Sequence, residues 1–399
     1  MKKKTKYKRI LLYITVLASL SVSAQSVDVK IGNGDDDKIK ISSMGRIYFD
    51  GAAYIEDETE LSNGVAIPDV RLGLKAVYKK WDAKLDFGYA NSKASAKDIH
   101  LRYSFNKNSS IKLGHYGGEM FGYESWESTS TVKFNGKTPP STAVFESGRR
   151  IGIVYSMWQK KYWLAAGIYG DGDAINNTTQ GDDGYAATGR LLYTPFKEDG
   201  KILHIGLSGT IRKADANGFD SDGKDNPPRS LTYSSYFGTT SIDRNKPLSA
   251  TISDADYQAK YNAEILGSYG PVFLLGEYYH SNVKRKSALP TYKASGGYVM
   301  AGFLAIGDSY SYNSADGRMR LPKPGSLEIL ARYDYIDLDD NNTGIYGGRM
   351  SDWSVGLNYY INKFVTVKGN YSNIKLGNRS VIAAGETVHA IQARVMVLF

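Results

Sequence analysis

The stretch His389-Ala390-Ile391-Gln392-Ala393-Arg394-Val395-Met396-Val397-Leu398-Phe399 alternates, with Ile391, Ala393, Val395, Val397 and Phe399 on one face and Gln392, Arg394 and Met396 on the other. Period two is the pattern of an extended strand whose faces meet different environments. A long strand of this kind with an aromatic last residue is an open edge, and open edges recruit other chains. Pairing with a first strand removes the edge. In a bilayer such closure is obligatory, because every backbone polar group must be satisfied within the protein. The stretch predicts the closing strand of a transmembrane antiparallel β-barrel.

Lys2, Lys3, Lys4, Lys6, Lys8 and Arg9 precede the apolar stretch Ile10 to Leu20, and Val22-Ser23-Ala24 supplies the small residues of a cleavage site. Residues 1–24 therefore read as a secretory signal peptide, 25–45 as a short periplasmic segment and 46–399 as the barrel. Six of the 50 basic residues and none of the 41 acidic ones fall in the leader, leaving 44 against 41 after Ala24. That balance removes the compositional case for nucleic acid as a partner. With no cysteine, the chain lacks a lipid-anchor residue, disulfides, thiolate metal sites and a cysteine nucleophile. Beyond the leader no apolar run approaches the length of a spanning helix.

Alternation runs through the rest of the chain. Ile47, Phe49, Gly51, Ala53 and Ile55 oppose Arg46, Tyr48, Asp50 and Tyr54; Leu72, Leu74 and Ala76 oppose Arg71 and Lys75. Trp81, Leu85, Phe87 and Tyr89 oppose Asp82, Lys84 and Asp86, and Ile99, Leu101, Tyr103 and Phe105 oppose Asp98, His100 and Arg102. Ile111 and Leu113 flank Lys112, and eleven further strands are predicted at about 149–157, 162–169, 185–193, 202–212, 257–268, 272–281, 296–305, 327–336, 353–360, 364–373 and 388–399. The total of sixteen strands is even, as a closed antiparallel barrel with both termini on one side requires. Connections after even-numbered strands are short (79–80, 106–110, 158–161, 194–201, 269–271, 361–363), whereas those after odd-numbered strands are long (56–69, 91–97, 117–148, 170–184, 213–256, 282–295, 337–352, 374–387). Short periplasmic turns and long outer loops produce this alternation; only 306–326 is long on the short side. A soluble sandwich or propeller also alternates, but leaves the last edge open. The 31 tyrosines are expected at the membrane interfaces, where a ring sits in the acyl boundary and its hydroxyl stays wet.

With the apolar faces toward lipid, thirteen basic residues point inward: Arg46, Arg71, Lys75, Lys84, Arg102, Lys112, Arg150, Arg190, Arg212, Lys260, Arg332, Lys368 and Arg394. Eight acidic residues join them: Asp50, Asp82, Asp86, Asp98, Glu264, Glu277, Glu328 and Asp334. Basic rings favour anions in a pore, so this excess is a mild anion bias; the same charges also pair across a lumen to hold strand register. The 32-residue connection 117–148 is the candidate constriction, an inward loop after strand five. Its Lys133 and Lys137, with Arg149 and Arg150, face Glu119, Glu124, Glu127 and Glu146, which makes a transverse field. The candidate pore-lining residues are Arg71, Lys75, Arg102, Lys112, Glu124, Glu127, Lys133, Arg149 and Arg150.

Arg71-Leu72-Gly73, Leu113-Gly114-His115-Tyr116, Phe121-Gly122-Tyr123-Glu124 with the Ser/Thr-rich run after it, and Phe145-Glu146-Ser147-Gly148-Arg149-Arg150-Ile151-Gly152 resemble the phosphate-selective porins of the O and P type. Gly167-Ile168-Tyr169-Gly170-Asp171, Leu274 with Gly276-Glu277-Tyr278-Tyr279, Gly302-Phe303, Glu328-Ile329-Leu330-Ala331-Arg332-Tyr333 and Gly356-Leu357-Asn358-Tyr359-Tyr360-Ile361-Asn362 extend the resemblance over most of the chain. The leader resembles those of Bacteroidetes. The resemblance implies a sixteen-stranded homotrimeric barrel in the bacterial outer membrane, an inward loop after strand five and anion-selective diffusion. The chain departs from the pattern at Pro68-Asp69, where family members commonly carry paired arginines, and at Gly117, where they place a lysine. Both departures remove positive charge from the region implied to hold phosphate, while Arg71, Lys133 and Arg149-Arg150 are retained.

Chemistry-bearing motifs are otherwise sparse. The five histidines, at 100, 115, 204, 280 and 389, share no metal-ligand spacing, and no Ser, His and Asp or Asn unit is recognisable. Gly170-Asp171-Gly172-Asp173, Asp182-Asp183 and Asp35-Asp36-Asp37 lack a full calcium-loop pattern. A plugged transporter of about 22 strands needs more chain. No enzyme activity, cofactor or metal is expected. The expected function is passive diffusion of small hydrophilic solutes with weak anion preference; its partners are outer-membrane lipid, lipopolysaccharide and small anionic or neutral solutes. Two other readings keep the barrel: a specific phosphate or polyphosphate channel, and a barrel plugged by 117–148 and 213–256 that serves as adhesin or scaffold.

Overall fold

The computed structural model describes residues 26–31, 37–90, 93–117, 122–145, 148–170, 181–214, 216, 218–224, 229–238 and 242–399. The proposed leader, Glu119, Glu146 and the aspartates at 35, 36, 171 and 173 lie outside the described residues. Sixteen strands form the wall: β1 Lys38–Ile55, β2 Val70–Tyr78, β3 Trp81–Ala90, β4 Lys93–Asn106, β5 Ser109–Gly117, β6 Arg149–Trp158, β7 Tyr162–Gly170, β8 Tyr185–Glu198, β9 Lys201–Lys213, β10 Leu248–Tyr269, β11 Val272–Arg285, β12 Tyr292–Ile306, β13 Leu327–Asp340, β14 Ile345–Tyr360, β15 Val365–Leu376 and β16 Thr387–Leu398. Each pairs antiparallel with its neighbours, and β16 returns to β1 with Arg46 opposite Leu398 and Ile55 opposite His389. The sheet therefore closes, and the closing stretch has no free edge.

Alternation follows from closure. On β9 Ile205, Leu207 and Ile211 are exposed on the outer surface, while His204, Ser208, Thr210 and Arg212 are buried inside. Apolar outward faces of this kind suit hydrocarbon, and a lumen takes the polar set. Exposed aromatic rings gather at two levels, with Trp81, Phe105, Tyr162, Phe196, Tyr269, Phe303 and Tyr359 near the short turns and Tyr89, Tyr185, Tyr257, Tyr335 and Trp353 toward the long connections. These are the girdles of a membrane-spanning barrel. Many tyrosines are not interfacial. Tyr279 and Tyr298 donate from their hydroxyls to Glu277 at 2.8 and 2.6 Å, and Tyr310 and Tyr360 donate to Glu328 at 2.9 and 2.7 Å. A carboxylate buried inside the barrel needs donors, and the phenol supplies one on an otherwise apolar body.

Strand ends extend past the alternating segments. β1 begins at Lys38 rather than Arg46, pairing with β2 from Lys40 opposite Val77 and with the short strand Ser26–Lys30. β10 and β14 begin at Leu248 and Ile345, so the connection between β13 and β14 shrinks to four residues, 341–344. Beyond the bilayer on either side both faces of a strand meet polar surroundings, and period two fades while the hydrogen-bonded ladder continues.

Among the described residues, parts of several connections fold inward. The strand Arg229–Ser235 pairs with β10, and Phe237 O accepts the Tyr54 hydroxyl at 3.3 Å across the outer mouth. Residues 307–326, on the short-turn side, carry a small hairpin of Tyr312–Asn313 and Arg318–Met319; Trp163 Nε1 donates to Ala315 O at 3.1 Å. Residues 122–138 cross between these elements. Gly122 N donates to Ser208 Oγ at 3.0 Å, and the Tyr123 and Glu124 amides donate to Glu277 at 2.6 and 2.9 Å. Gly122 has φ 77°, and a Cβ there would sit 2.6 Å from Glu277 Oε1, so only glycine lets this backbone approach the carboxylate.

Candidate functional site

The lumen is divided. Against β8 to β15 the inward side chains pack onto 122–138 and 307–326 as a dense core that includes Leu266, Phe273, Tyr279, Tyr298, Leu330 and Tyr310. Charges on this side are committed to structure. Arg190 Nη2 and His204 Nε2 contact Glu264 Oε1 at 2.7 and 2.9 Å, Lys133 Nζ donates to Glu328 at 2.7 Å, and Lys368 Nζ donates to Val132 O. This side of the bore is filled by inserted chain, and the charges there hold it.

Open space remains on the β1–β6 side. A cavity of 480 Å³ is bounded by the strand residues Arg46, Arg71, Lys84, Asp86, Asp98 and Lys112, by Arg149, and by Ser125 with Glu127 to Ser130 opposite. A second cavity of 370 Å³, lined by Tyr48, Pro68, Asp69, Asn135 and Ser234 to Tyr236, lies toward the outer loops. The two adjoin at Arg71, Thr129 and Lys137, which line both. Among the described residues, eight basic side chains (Arg46, Arg71, Lys84, Lys112, Lys137, Arg149, Arg318, Arg394) and five acidic ones (Asp69, Asp86, Asp98, Glu127, Asp316) bound this path.

The local register explains the basic wall. Arg46 on β1 stands directly opposite Arg71 on β2, and Lys75 on β2 opposite Lys84 on β3. Like charges across a pair repel, and carboxylates are interposed. Asp69 Oδ2 accepts Arg46 Nε at 2.9 Å, and its Oδ1 accepts Arg71 Nε at 3.0 Å. Burial raises the Asp69 carboxyl, but the charges of Arg46 and Arg71 outweigh it and hold the group below the usual carboxylate range. Lys84 Nζ lies 2.9 Å from Asp98 and 3.4 Å from Asp86, and Arg149 Nε lies 2.9 Å from Asp98. Lys112 Nζ sits 3.8 Å over the Tyr116 ring.

The opposite wall is hydroxylated and carries Glu127 and Lys137 among its serines and threonines. Arg46 crosses to it, donating to Ser128 Oγ at 3.3 Å and Thr129 Oγ1 at 2.7 Å. Arg318, from the short-side hairpin, donates to Thr131 Oγ1 at 3.0 Å and lies 4.0 Å from Glu127.

Of the residues singled out from the sequence, Arg71, Lys112, Glu127 and Arg149 come together at the larger cavity. The rest lie elsewhere. Lys133 is buried against Glu328. Glu124 is buried inside the inserted segment, accepting the Thr138 amide at 2.8 Å, and burial raises its carboxyl. Arg102 pairs with Asp82 at 2.6 Å, away from both cavities; Lys75 is half-buried nearer the short turns, and Arg150 is half-buried opposite Tyr116. Sequence reasoning missed Asp316 and Arg318. The unusual length of 306–326 was the available signal, but nothing in its composition showed that it turns inward.

The described residues contain no group of side chains arranged to hold a metal ion, and no helix long and apolar enough to cross a membrane. Residues 44–399 match the family described as phosphate-selective porin O and P. Porin O of Pseudomonas aeruginosa is 23% identical over 341 residues, covering 75% of this chain and 73% of that protein. An uncharacterized protein of Caulobacter vibrioides is 26% identical over 234 residues, 54% of this chain; the match spans 44% of that relative's length. Among solved structures, an anion-selective porin from Comamonas acidovorans superposes with TM-score 0.59 at 14% identity, over 90% of this chain and all of its own. OmpT of Vibrio cholerae in its trimer form gives TM-score 0.57 at 11% identity, over 90% of this chain and 99% of its own. These structures share the fold.

Proposed function

The chain belongs to the phosphate-selective porin O and P family, outer-membrane channels for small solutes, and we propose that it passes small hydrophilic solutes passively with a weak preference for anions. The observation that carries the preference is the imbalance of eight basic to five acidic side chains along the two adjoining cavities. A low-dielectric wall focuses such a field on the path. The inserted segment 122–138 narrows the bore, and its Ser128, Thr129 and Ser130 hydroxyls present polar, uncharged contacts to a passing solute.

The preference stays weak because most of the cations are partnered. Arg46, Arg71, Lys84 and Arg149 each contact an aspartate, so a solute meets a laddered wall of both signs rather than a bare cationic ring. A dedicated phosphate site asks for several unopposed donors converging on one oxyanion, and Asp69 stands where such convergence would begin. The trimer form of the similarly folded OmpT supports a homotrimer, and the basic and apolar run at 1–24 fits delivery through the inner membrane to the outer one.

The test is reversal-potential measurement on purified protein in planar bilayers under a potassium chloride gradient. Stable conductance with a modest shift toward chloride is expected. A shift toward potassium would overturn the anion preference, and absence of conductance would overturn the channel.

A further inference from the structure

We propose that Asp69 sets the selectivity of this channel, by occupying the junction of the two cavities and masking a pair of facing guanidiniums that would otherwise form a subsite for a tetrahedral oxyanion of the phosphate type. This inference rests on the channel reading above. Arg46 and Arg71 are register partners across β1 and β2, so their guanidiniums approach one another inside the bore. One carboxylate serves both, with Oδ2 toward Arg46 and Oδ1 toward Arg71. Arg71 lines both cavities and Asp69 lines the outer one, which places the masked pair where a permeating solute passes from one to the other.

Removal of the carboxylate charge leaves the arginines in place. Arg46 remains tied to the Ser128 and Thr129 hydroxyls, and among the described residues Arg71 keeps a 3.9 Å approach to Asp86. Two oriented forks with donors to spare match the oxygens of a phosphate. The Asp69 backbone has its own role, since Asp69 O accepts the Tyr48 amide at 3.0 Å. A side-chain amide at position 69 keeps that bond, and Asp69→Asn is therefore the informative change.

The experiment compares wild type, Asp69→Asn, Asp69→Glu and Asp82→Asn in planar bilayers, with inorganic phosphate titrated against chloride current. Asp82 pairs with Arg102 outside both cavities, so Asp82→Asn alters net charge equally without touching the junction. Asp69→Asn is expected to raise the chloride-to-potassium permeability ratio by more than about fivefold, since one unit charge at about 4 Å in a water-like medium shifts each ion about fivefold and the two in opposite directions. It is also expected to lower the phosphate concentration that blocks the current by about tenfold, as an added charge-assisted contact would. Asp69→Glu and Asp82→Asn are expected to stay near wild type. Heat-modifiable gel mobility of each variant establishes that the barrel has formed. Equal shifts in Asp69→Asn and Asp82→Asn would reduce the effect to net charge and overturn the proposal, as would a folded Asp69→Asn with wild-type selectivity and block. A wild type that conducts no ions would instead remove the channel reading beneath it.

Discussion

Lys133 and Glu328 form a buried ion pair, Nζ to Oε1 2.7 Å, that fastens the inserted segment to the inside of β13. Glu328 also accepts the Tyr310 hydroxyl from the short-side insertion, so one carboxylate on the wall holds both inserted pieces. Breaking such a pair by removing one partner costs about 3–5 kcal/mol, because the remaining charge stays buried. Lys133→Met is therefore expected to loosen residues 122–138 and give a larger, noisier single-channel conductance. Lys133→Met with Glu328→Gln removes both charges and is expected to recover part of the wild-type behaviour. A Lys133→Met channel with unchanged conductance and noise would show that the pair does not hold residues 122–138 in place.

The seam of the barrel carries a second paired charge. Arg394 on β16 reaches Asp50 on β1 through Nε and Nη2, each at 2.7 Å, a two-pronged contact across the register that closes the sheet. Asp50→Asn leaves a buried guanidinium without its charge partner, and the temperature at which the folded barrel loses its compact gel mobility is expected to fall. Combining it with Arg394→Gln is expected to cost less than the sum of the single changes, since contacting residues couple by about 0.5–3 kcal/mol. Additive losses would mean that the two side chains act independently.

The wall was legible in the sequence because lipid imposes one requirement on every strand. On β9 the assignment of faces is unambiguous, since Ile205, Leu207 and Ile211 must all face hydrocarbon and His204, Ser208 and Arg212 must not. The interior was less legible, because a charged residue facing inward meets either water or an inserted segment, and period two distinguishes neither. Lys112 and Lys368 are the same residue type on the same inward face; one borders the larger cavity, the other donates to Val132 O in the packed half. The Pro68-Asp69 departure was visible as a loss of positive charge. That the same aspartate also engages Arg46 and Arg71 depends on the β1–β2 register, which alternation alone does not specify.

Adjacent residues on β9 separate the two environments. Leu207 is 62% exposed on the outer surface near the middle of its strand, and Ser208 accepts the Gly122 amide inside. Leu207→Arg puts a cation into the hydrocarbon band and is expected to destabilise the barrel by about 2–4 kcal/mol, measured as a lowered urea midpoint for unfolding from lipid vesicles. Ser208→Ala is expected to cost no more than about 1 kcal/mol in the same measurement, the worth of an ordinary hydrogen bond. Tolerance of Leu207→Arg would contradict the assignment of this face to lipid.

The masked arginines give the selectivity a defined pH dependence. Arg46 and Arg71 hold the Asp69 carboxyl below its ordinary value against the opposing effect of burial, with Asp86 the next acid on the same wall. A depressed folded-state pKa means that the pairing is fully present above the ordinary carboxylate value of about 4 and is lost as pH falls through the lower folded value. Between pH 7 and about pH 4, Asp69 is thus expected to contribute no change to the chloride-to-potassium permeability ratio. Below that range it takes up a proton, frees both guanidiniums, and raises the ratio. Asp69→Asn, already unmasked, is expected to show a smaller acid-induced rise than wild type when reversal potentials are recorded from about pH 7 to about pH 3, a range that brackets the ordinary carboxylate value. An acid-induced rise of equal size in the two proteins would assign the effect to Asp86, Asp98 or Glu127, and would remove Asp69 from the pH response.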